Sequence, residues 1–261
     1  MSQLEVDVER LQQRKYRSSY VKVLEHANRP VGVSYAAKIT AFRRKLILES
    51  YHHGLVLDLC CGTGDFLVDI APQVQKGIGV DFSQELVDIA LSRARNQANV
   101  FFCVGNARTI PLRTESVALL FSFSSLYYIP RVENVVTECA RVLEKTGTAI
   151  LEFGILHSLN TIVCKSYPDL AVPCHVSLSA ACRMVEGAGL TIVDDFAFQF
   201  LPLWGRKPRW LRPLLHPYWT RLLSLETRNG DMLDQRVSSS RLLRKFAFRH
   251  IMVCKKACSE N

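Results

Sequence analysis

Two closely spaced glycines, Gly62 and Gly64, are the first residues of this sequence that suit a chemical role. They follow an apolar run, residues 55–59, and precede an apolar pattern typical of a helix. Glycine lets a backbone approach a ligand closely and adopt a positive φ without a Cβ clash. A turn between a strand and a helix N-terminus also presents backbone N–H groups to a ligand. Alone, this turn does not specify which ligand.

A carboxylate, Asp81, makes the signal more specific. It ends a second apolar run, residues 77–80, about 20 residues after the glycines. An ionised acid can accept hydrogen bonds from both hydroxyls of a ribose diol. The combination of a glycine turn and a later acid therefore predicts a ligand of the nucleoside type.

The elements that must position these residues are short apolar runs. Three more runs follow, at residues 100–104, 117–121 and 147–153. Like the first two, each ends in small or polar residues. In an open parallel sheet, ligands bind at the carboxyl ends of the strands. The pattern therefore predicts an α/β fold with its binding site at that edge.

The order and composition of these turns resemble the class I S-adenosylmethionine-dependent methyltransferases, in particular the branch that acts on small molecules, lipids and quinones. The resemblance covers roughly residues 56–153. It implies a doubly wound, mostly parallel seven-stranded sheet with S-adenosylmethionine as cofactor. It also implies an N-terminal helical lid, residues 1–50, on a methyltransferase domain, residues 51–261.

The same resemblance implies roles for single residues. The expected cofactor-binding residues are Asp58, Cys60, Gly62, Gly64, Asp81, Phe82, Asn106, Ala107 and Ser122. The acid and glycines of the first turn would lie under the methionine moiety. Asp81 would hold the ribose and Phe82 would pack on the adenine, whose edge Asn106 and Ala107 would meet.

This sequence departs from the family pattern at two of these positions. Cys60 stands where the first glycine of the loop is usual, and it narrows the backbone freedom there. Asn106 stands where an acid is usual, so it can form hydrogen bonds but carries no charge. Both changes could weaken cofactor affinity, but neither removes a group that the chemistry requires.

The sequence indicates less clearly which residues would bind the methyl acceptor. Tyr127 and Tyr128 follow the fourth run and are predicted to line the acceptor pocket. His157 follows the fifth run and is a candidate general base, because histidine titrates near neutrality. A solvated loop histidine is the alternative. The turn at residues 122–125 lacks the Asn/Asp-Pro-Pro-aromatic sequence with which enzymes of this fold grip exocyclic amines, which argues against nucleobase acceptors.

Positive charge is concentrated near the end of the chain. Residues 199–261 hold 13 lysines and arginines against 4 aspartates and glutamates, which accounts for the whole net charge of +9. The same segment holds all three tryptophans, Trp204, Trp210 and Trp219. We interpret residues 199–245 as a basic cap insertion. It could contact an anionic membrane surface, bind an anionic acceptor or an RNA backbone, or be a solvated cap with its aromatic side chains packed inward.

Composition favours a cytoplasmic protein, with peripheral membrane contact through residues 199–245 as an open alternative. The nine cysteines form no C-x-x-C pair, so neither a disulfide framework nor a metal site is expected. No apolar stretch approaches the roughly 18–20 residues of a membrane span, and no secretory segment is evident at the N-terminus.

These observations predict a methyltransferase that modifies a small-molecule or lipid-linked metabolite, with oxygen favoured over nitrogen or carbon as the methylated atom. An anionic acceptor would suit the basic segment. The two rival hypotheses are an RNA methyltransferase, suggested by the charge, and a non-enzymatic S-adenosylmethionine-binding regulator.

Overall fold

The computed structural model of the protein describes residues 35–165, 174–202, 211, 213–214, 217–228 and 230–257. Its strands are β1 (Leu55–Leu59), β2 (Lys76–Asp81), β3 (Val100–Val104), β4 (Val117–Ser122), β5 (Leu143–Gly154), β6 (Leu190–Phe198) and β7 (Arg249–Lys256). The α-helices are α1 (Tyr35–Ser50), α2 (Asp65–Ile70), α3 (Gln84–Arg93), α4 (Val132–Val142), α5 (Leu159–Lys165), α6 (Leu178–Gly187), α7 (Pro217–Leu223) and α8 (Leu233–Ser238).

The seven strands form one sheet in the order β3-β2-β1-β4-β5-β7-β6. The first five strands of that order pair in parallel, and β7 runs antiparallel to both β5 and β6. This confirms the predicted seven-stranded, mostly parallel sheet. Strand β5 is longer than the apolar run at residues 147–153 indicated, because it begins at Leu143.

Hydrophobic cores cover both faces of the sheet, as a doubly wound fold requires. Leu57 faces a core that α4 and α6 complete, whereas its neighbour Val56 faces a core that α1, α2 and α3 complete. Successive side chains of a strand point to opposite faces, so a strand covered on both sides must be apolar throughout. This explains why β1 is apolar at every position except Asp58.

Helix α1 lies at the end of the segment, residues 1–50, for which the sequence predicts a helical lid. It packs on the second core through Tyr35, Ile39 and Ile47. Its Lys38 donates to the carbonyl oxygen of Ser224 at 2.8 Å, which ties α1 to the end of α7. Residues 1–34 lie outside the described residues, so the lid formed by residues 1–50 stays a prediction.

The basic cap predicted for residues 199–245 is described in part. Helices α7 and α8 belong to it, whereas Trp204 and Trp210 lie outside the described residues. Trp219 is half-buried on α7 and donates through its indole nitrogen to the carbonyl oxygen of Pro213 at 3.2 Å. Across the described ranges, no helix is both long and apolar enough to cross a membrane.

Candidate functional site

A cavity of about 510 Å³ opens at the carboxyl ends of strands β1 to β4. Its lining comes from the four turns that follow those strands, which is where parallel sheets bind ligands. Among the residues predicted for the site, the cavity is lined by Asp58, Cys60, Gly62, Asp81, Phe82, Asn106, Ala107 and Tyr128. The structure thus brings the predicted cofactor residues of four separate turns to one place.

Asp81 joins two of these turns. Its Oδ2 accepts a hydrogen bond from the backbone N–H of Gly62 at 2.9 Å, and its Oδ1 accepts one from the backbone N–H of Ser83 at 3.0 Å. Burial raises the pKa of this carboxyl group, although backbone N–H groups oppose the shift. The two carboxylate oxygens offer about four acceptor positions, and the three backbone N–H groups of Ser83, Gly62 and Phe82 leave one of them. The group can therefore hold the glycine turn and still accept from a ligand.

Asp58 is a buried acid with an unsatisfied oxygen. Its Oδ2 has no hydrogen-bond partner among the described residues, and Asp58 lines the cavity from the end of β1. Burial, followed by repulsion from Asp81 and Asp65, raises its pKa well above the usual range. A buried carboxylate without a partner is unfavourable unless a cation or donor compensates it. The chemistry of this wall therefore suits a cationic ligand group.

The glycine turn has left-handed backbone at three alternate positions. Gly62 has φ 54° and Gly64 has φ 72°, and Cys60, in place of the usual first glycine, has φ 62°. For a residue with a Cβ this conformation costs about 1–2 kcal/mol. Burial raises the pKa of the Cys60 thiol well above its usual value, so the thiol stays protonated at neutral pH. Cys60 therefore fits the loop at the expense of backbone strain.

Gly64 and Ser122 do not line the cavity. A Cβ on Gly64 would lie 2.7 Å from the ring of Phe102 and 3.0 Å from the Cβ of Ala90, so the missing side chain serves core packing. Ser122 is fully buried at the end of β4. Gly62 differs, because a Cβ there would meet nothing within 4 Å. Cofactor roles for Gly64 and Ser122 stay predictions.

The two candidate tyrosines occupy different places. Tyr128 lines the cavity, whereas Tyr127 is buried behind it and accepts a hydrogen bond from Nη1 of Arg249 at 3.0 Å. The ring of Tyr127 also packs against those of His175 and Phe248. Tyr127 thus supports the wall that Tyr128 forms.

His157 is exposed in the turn after β5 and does not line the cavity. None of the lining residues that the structure describes is a histidine. Its role as a general base stays a prediction.

Sequence reasoning missed a buried ionic cluster behind the acceptor side of the cavity. Glu152, near the carboxyl end of β5, forms ion pairs with both Arg43 of α1 and Arg249 of β7. We call these three residues the Arg-Glu-Arg triad. Both guanidinium groups also donate to Oγ of Ser124, at 3.0 and 3.1 Å. The available signal was a glutamate inside the apolar run at residues 147–153, where an unpaired charge would be costly.

Metal ligands are not clustered in the described part of the chain. No group of three or more histidine, cysteine, aspartate or glutamate side chains is placed there to hold an ion. The seven cysteines whose side chains are described are all free thiols.

Comparison with known proteins gives a consistent family signal over the same region. Residues 56–147 match a family described as "Methyltransferase domain". The demethylmenaquinone methyltransferase of Lactococcus lactis subsp. lactis is 35% identical over 100 residues, which cover 36% of this chain and 40% of that protein. The malonyl-[acyl-carrier protein] O-methyltransferase of Methylococcus capsulatus is 29% identical over 141 residues, which cover 48% of this chain and 51% of that protein.

Solved structures share the fold over most of the chain. The geranyl diphosphate C-methyltransferase of Streptomyces coelicolor A3(2), solved with Mg²⁺, geranyl diphosphate and S-adenosyl-L-homocysteine, has a TM-score of 0.55 at 16% identity. That match covers 83% of this chain and 77% of the other. The sequence matches to the two curated relatives span about half of each relative's length or less. The comparisons therefore establish the class I methyltransferase fold, and within it a match of residues 56–147 to the methyltransferase-domain family.

Proposed function

We propose that this protein, which carries a methyltransferase domain of the class I fold, binds S-adenosylmethionine in the cavity and transfers its methyl group to a small-molecule or lipid-linked acceptor. The observation that carries the proposal is the pair of buried carboxyl groups at the cavity wall. Asp81 is fixed by the backbone of the glycine turn, and Asp58 has an oxygen without a partner.

The residues present fit this cofactor. Asp58 and the glycine turn would lie under the methionine moiety, whose ammonium group would compensate the buried acid. Asp81 would accept from the ribose hydroxyls, and Phe82 and Asn106 would contact the adenine. When bound, the cofactor supplies a methyl group on a positively charged sulfur. The protein's part is to bind the two reactants, align them and exclude water, which can supply on the order of 7–11 kcal/mol of the barrier.

Oxygen is the proposed methyl acceptor atom. The name of the Methylococcus capsulatus relative, an O-methyltransferase, supports this preference. An acceptor oxygen that arrives already ionised needs no general base. This is compatible with a cavity whose described lining holds no histidine.

Calorimetric titration tests cofactor binding and its link to Asp58. We expect S-adenosylmethionine to bind and to release protons in mildly acidic buffer. The reason is that the pKa of Asp58 is raised in the free protein, and a nearby cation lowers it. Repeating the titration in buffers of different ionisation enthalpy measures the protons released. The Asp58→Asn variant should bind more weakly and with less proton release.

Asp69→Asn is the matched control, because Asp69 pairs with Arg44 and does not line the cavity. It should release protons as the parent does. Absence of cofactor binding by the parent protein would remove the proposed function. Equal proton release from the parent and from Asp58→Asn would remove only the role of Asp58.

We further propose that residues 199–245 contact an anionic membrane surface or a lipid-linked acceptor. The support is the charge of residues 199–261, together with their three tryptophans. Basic residues near an anionic leaflet contribute about 1 kcal/mol each, and salt screens this attraction. Burial of tryptophan in the interface adds a contribution that salt does not screen.

Co-sedimentation across a salt series separates the alternatives. We expect binding to vesicles that contain phosphatidylserine to persist at moderate salt, with tryptophan fluorescence shifted to the blue. Vesicles of phosphatidylcholine alone are the control and should bind more weakly. Binding to RNA alone, with a steep loss as salt rises, would favour the RNA methyltransferase. Binding to neither would leave a cap over a soluble acceptor.

A further inference from the structure

Ser124 lies on the cavity wall just after β4. Its hydroxyl group accepts hydrogen bonds but, among the described residues, has not used its proton as a donor. Its Oγ accepts hydrogen bonds from Nη2 of Arg43 at 3.0 Å and from Nη1 of Arg249 at 3.1 Å. A hydroxyl oxygen has two acceptor lone pairs and one proton to donate. Because both lone pairs are taken, only the proton remains for a further partner. Within the described part of the chain, Ser124 donates to no other residue.

The surroundings of Ser124 make that proton a strong donor to an anion. The Arg-Glu-Arg triad behind it contains two cations and one anion, so one positive charge is left over. Both arginines and the glutamate are buried, where charges are screened much less than in water. Donation from two cations to the same oxygen polarises its O–H group further.

The backbone of Ser124 is also strained, with φ 58°. Left-handed backbone is unfavourable for serine and persists only where surrounding contacts enforce it. Here the two guanidinium groups hold the side chain in place. These contacts therefore fix the hydroxyl at the cavity wall.

Sheet order gives the distance between Ser124 and the cofactor side. Strand β4 neighbours β1, and β1 neighbours β2, at whose end Asp81 lies. Adjacent strands are about 4.8 Å apart, so the ends of β4 and β2 are separated by about 10 Å. The cavity thus has Asp81 on one side, Asp58 on the strand between, and a second side at β4 that is backed by positive charge.

We propose that Ser124 binds a carboxylate of the methyl acceptor, so that the product is a methyl ester. This inference rests on the proposed function and specifies its acceptor. A carboxylate has two oxygens, so Ser124 can hold one while the other stays free to react. A phenolate has a single oxygen, which the same hydrogen bond would make less nucleophilic.

The reaction balances without a general base. A lone pair of the free carboxylate oxygen forms the new C–O bond to the methyl carbon. The S–C bond breaks and its electron pair goes to sulfur, which becomes a neutral thioether. The negative charge of the carboxylate and the positive charge of the sulfonium both disappear, and no proton is transferred.

Binding of small probes tests this site without relying on turnover. The full-length protein, saturated with S-adenosylhomocysteine, is titrated calorimetrically with benzoate and with benzamide, which is similar in shape but uncharged. We expect benzoate to bind at least about tenfold more tightly than benzamide, the range for one hydrogen bond to a charged group. Ser124→Ala and Ser124→Gly should both lose this preference while keeping their affinity for S-adenosylhomocysteine. Ser124→Gly suits the left-handed backbone, so it remains informative if Ser124→Ala folds poorly.

Ser125→Ala is the matched control. Ser125 lines the same cavity, but its hydroxyl already donates to the carbonyl oxygen of Phe123 at 2.9 Å, so its loss should leave the preference for benzoate intact. The proposal is overturned if the parent does not prefer benzoate, or if the Ser124 variants keep the preference. Failure of the parent to bind S-adenosylhomocysteine would instead remove the proposed function.

Discussion

Glu152→Gln is expected to lower the free energy of unfolding by about 3–5 kcal/mol. Glutamine keeps the shape of the side chain but removes the negative charge that pairs with both Arg43 and Arg249. Two guanidinium groups would then remain buried without a counter-charge, and removal of one partner of a buried ion pair is far more costly than loss of a surface pair. Urea unfolding of the parent and the variant at neutral pH measures the difference.

Acidification should reduce this difference. Burial alone would raise the pKa of Glu152, but Arg43 and Arg249 outweigh it, and the pKa lies below its usual value. A lowered pKa contributes stability above the unfolded-state pKa, and that stability is lost as the pH falls through the folded-state pKa. Asp58 and Asp81 have raised pKa values and act in the opposite sense. The difference between parent and variant therefore isolates Glu152, whereas the total stability does not.

Glu226→Gln provides the surface control. Glu226 pairs with Lys38 at 2.8 Å, but its side chain is 63% exposed, so its loss should change stability far less. Equal losses in the two variants would contradict a special role for the buried triad. So would a difference at neutral pH that persists unchanged in acid.

Asp81→Asn is expected to weaken S-adenosylmethionine binding by a factor of about 10² to 10⁴. The variant would lose two charge-assisted hydrogen bonds to the ribose hydroxyls, each of which contributes about 1.5–3 kcal/mol to binding. The asparagine also keeps only one oxygen for the N–H groups of Gly62 and Ser83, so the glycine turn should loosen. Calorimetric titration measures the affinity, and circular dichroism checks that the variant is folded.

Asp88→Asn is the matched control, because it makes the same chemical change on the exposed side of α3. Asp88 accepts a hydrogen bond only from the side chain of Gln84, at 2.8 Å, among the bonds described for it. This variant should bind the cofactor as the parent does. Unchanged affinity in a folded Asp81→Asn protein would exclude the ribose role of Asp81.

The sequence by itself determined the sheet and its ligand-binding edge. Strands β1 to β4 lie within one residue of the predicted apolar runs, and Gly62 and Asp81 meet at the predicted place. These features are local, because a strand shows as a short apolar run and a glycine turn as a motif. Once the parallel order is set, the ends of neighbouring strands must come together.

Only the tertiary structure decided which buried charges meet. Arg43 and Glu152 are 109 positions apart, and Glu152 and Arg249 are 97 positions apart. It also decided that Gly64 packs against Phe102 and that Ser124 accepts hydrogen bonds from both arginines. No local periodicity encodes such contacts, because they arise where the faces of distant elements are packed together. The turns that line the cavity were therefore visible in the sequence, whereas the triad behind Ser124 comes from three separate elements, α1, β5 and β7.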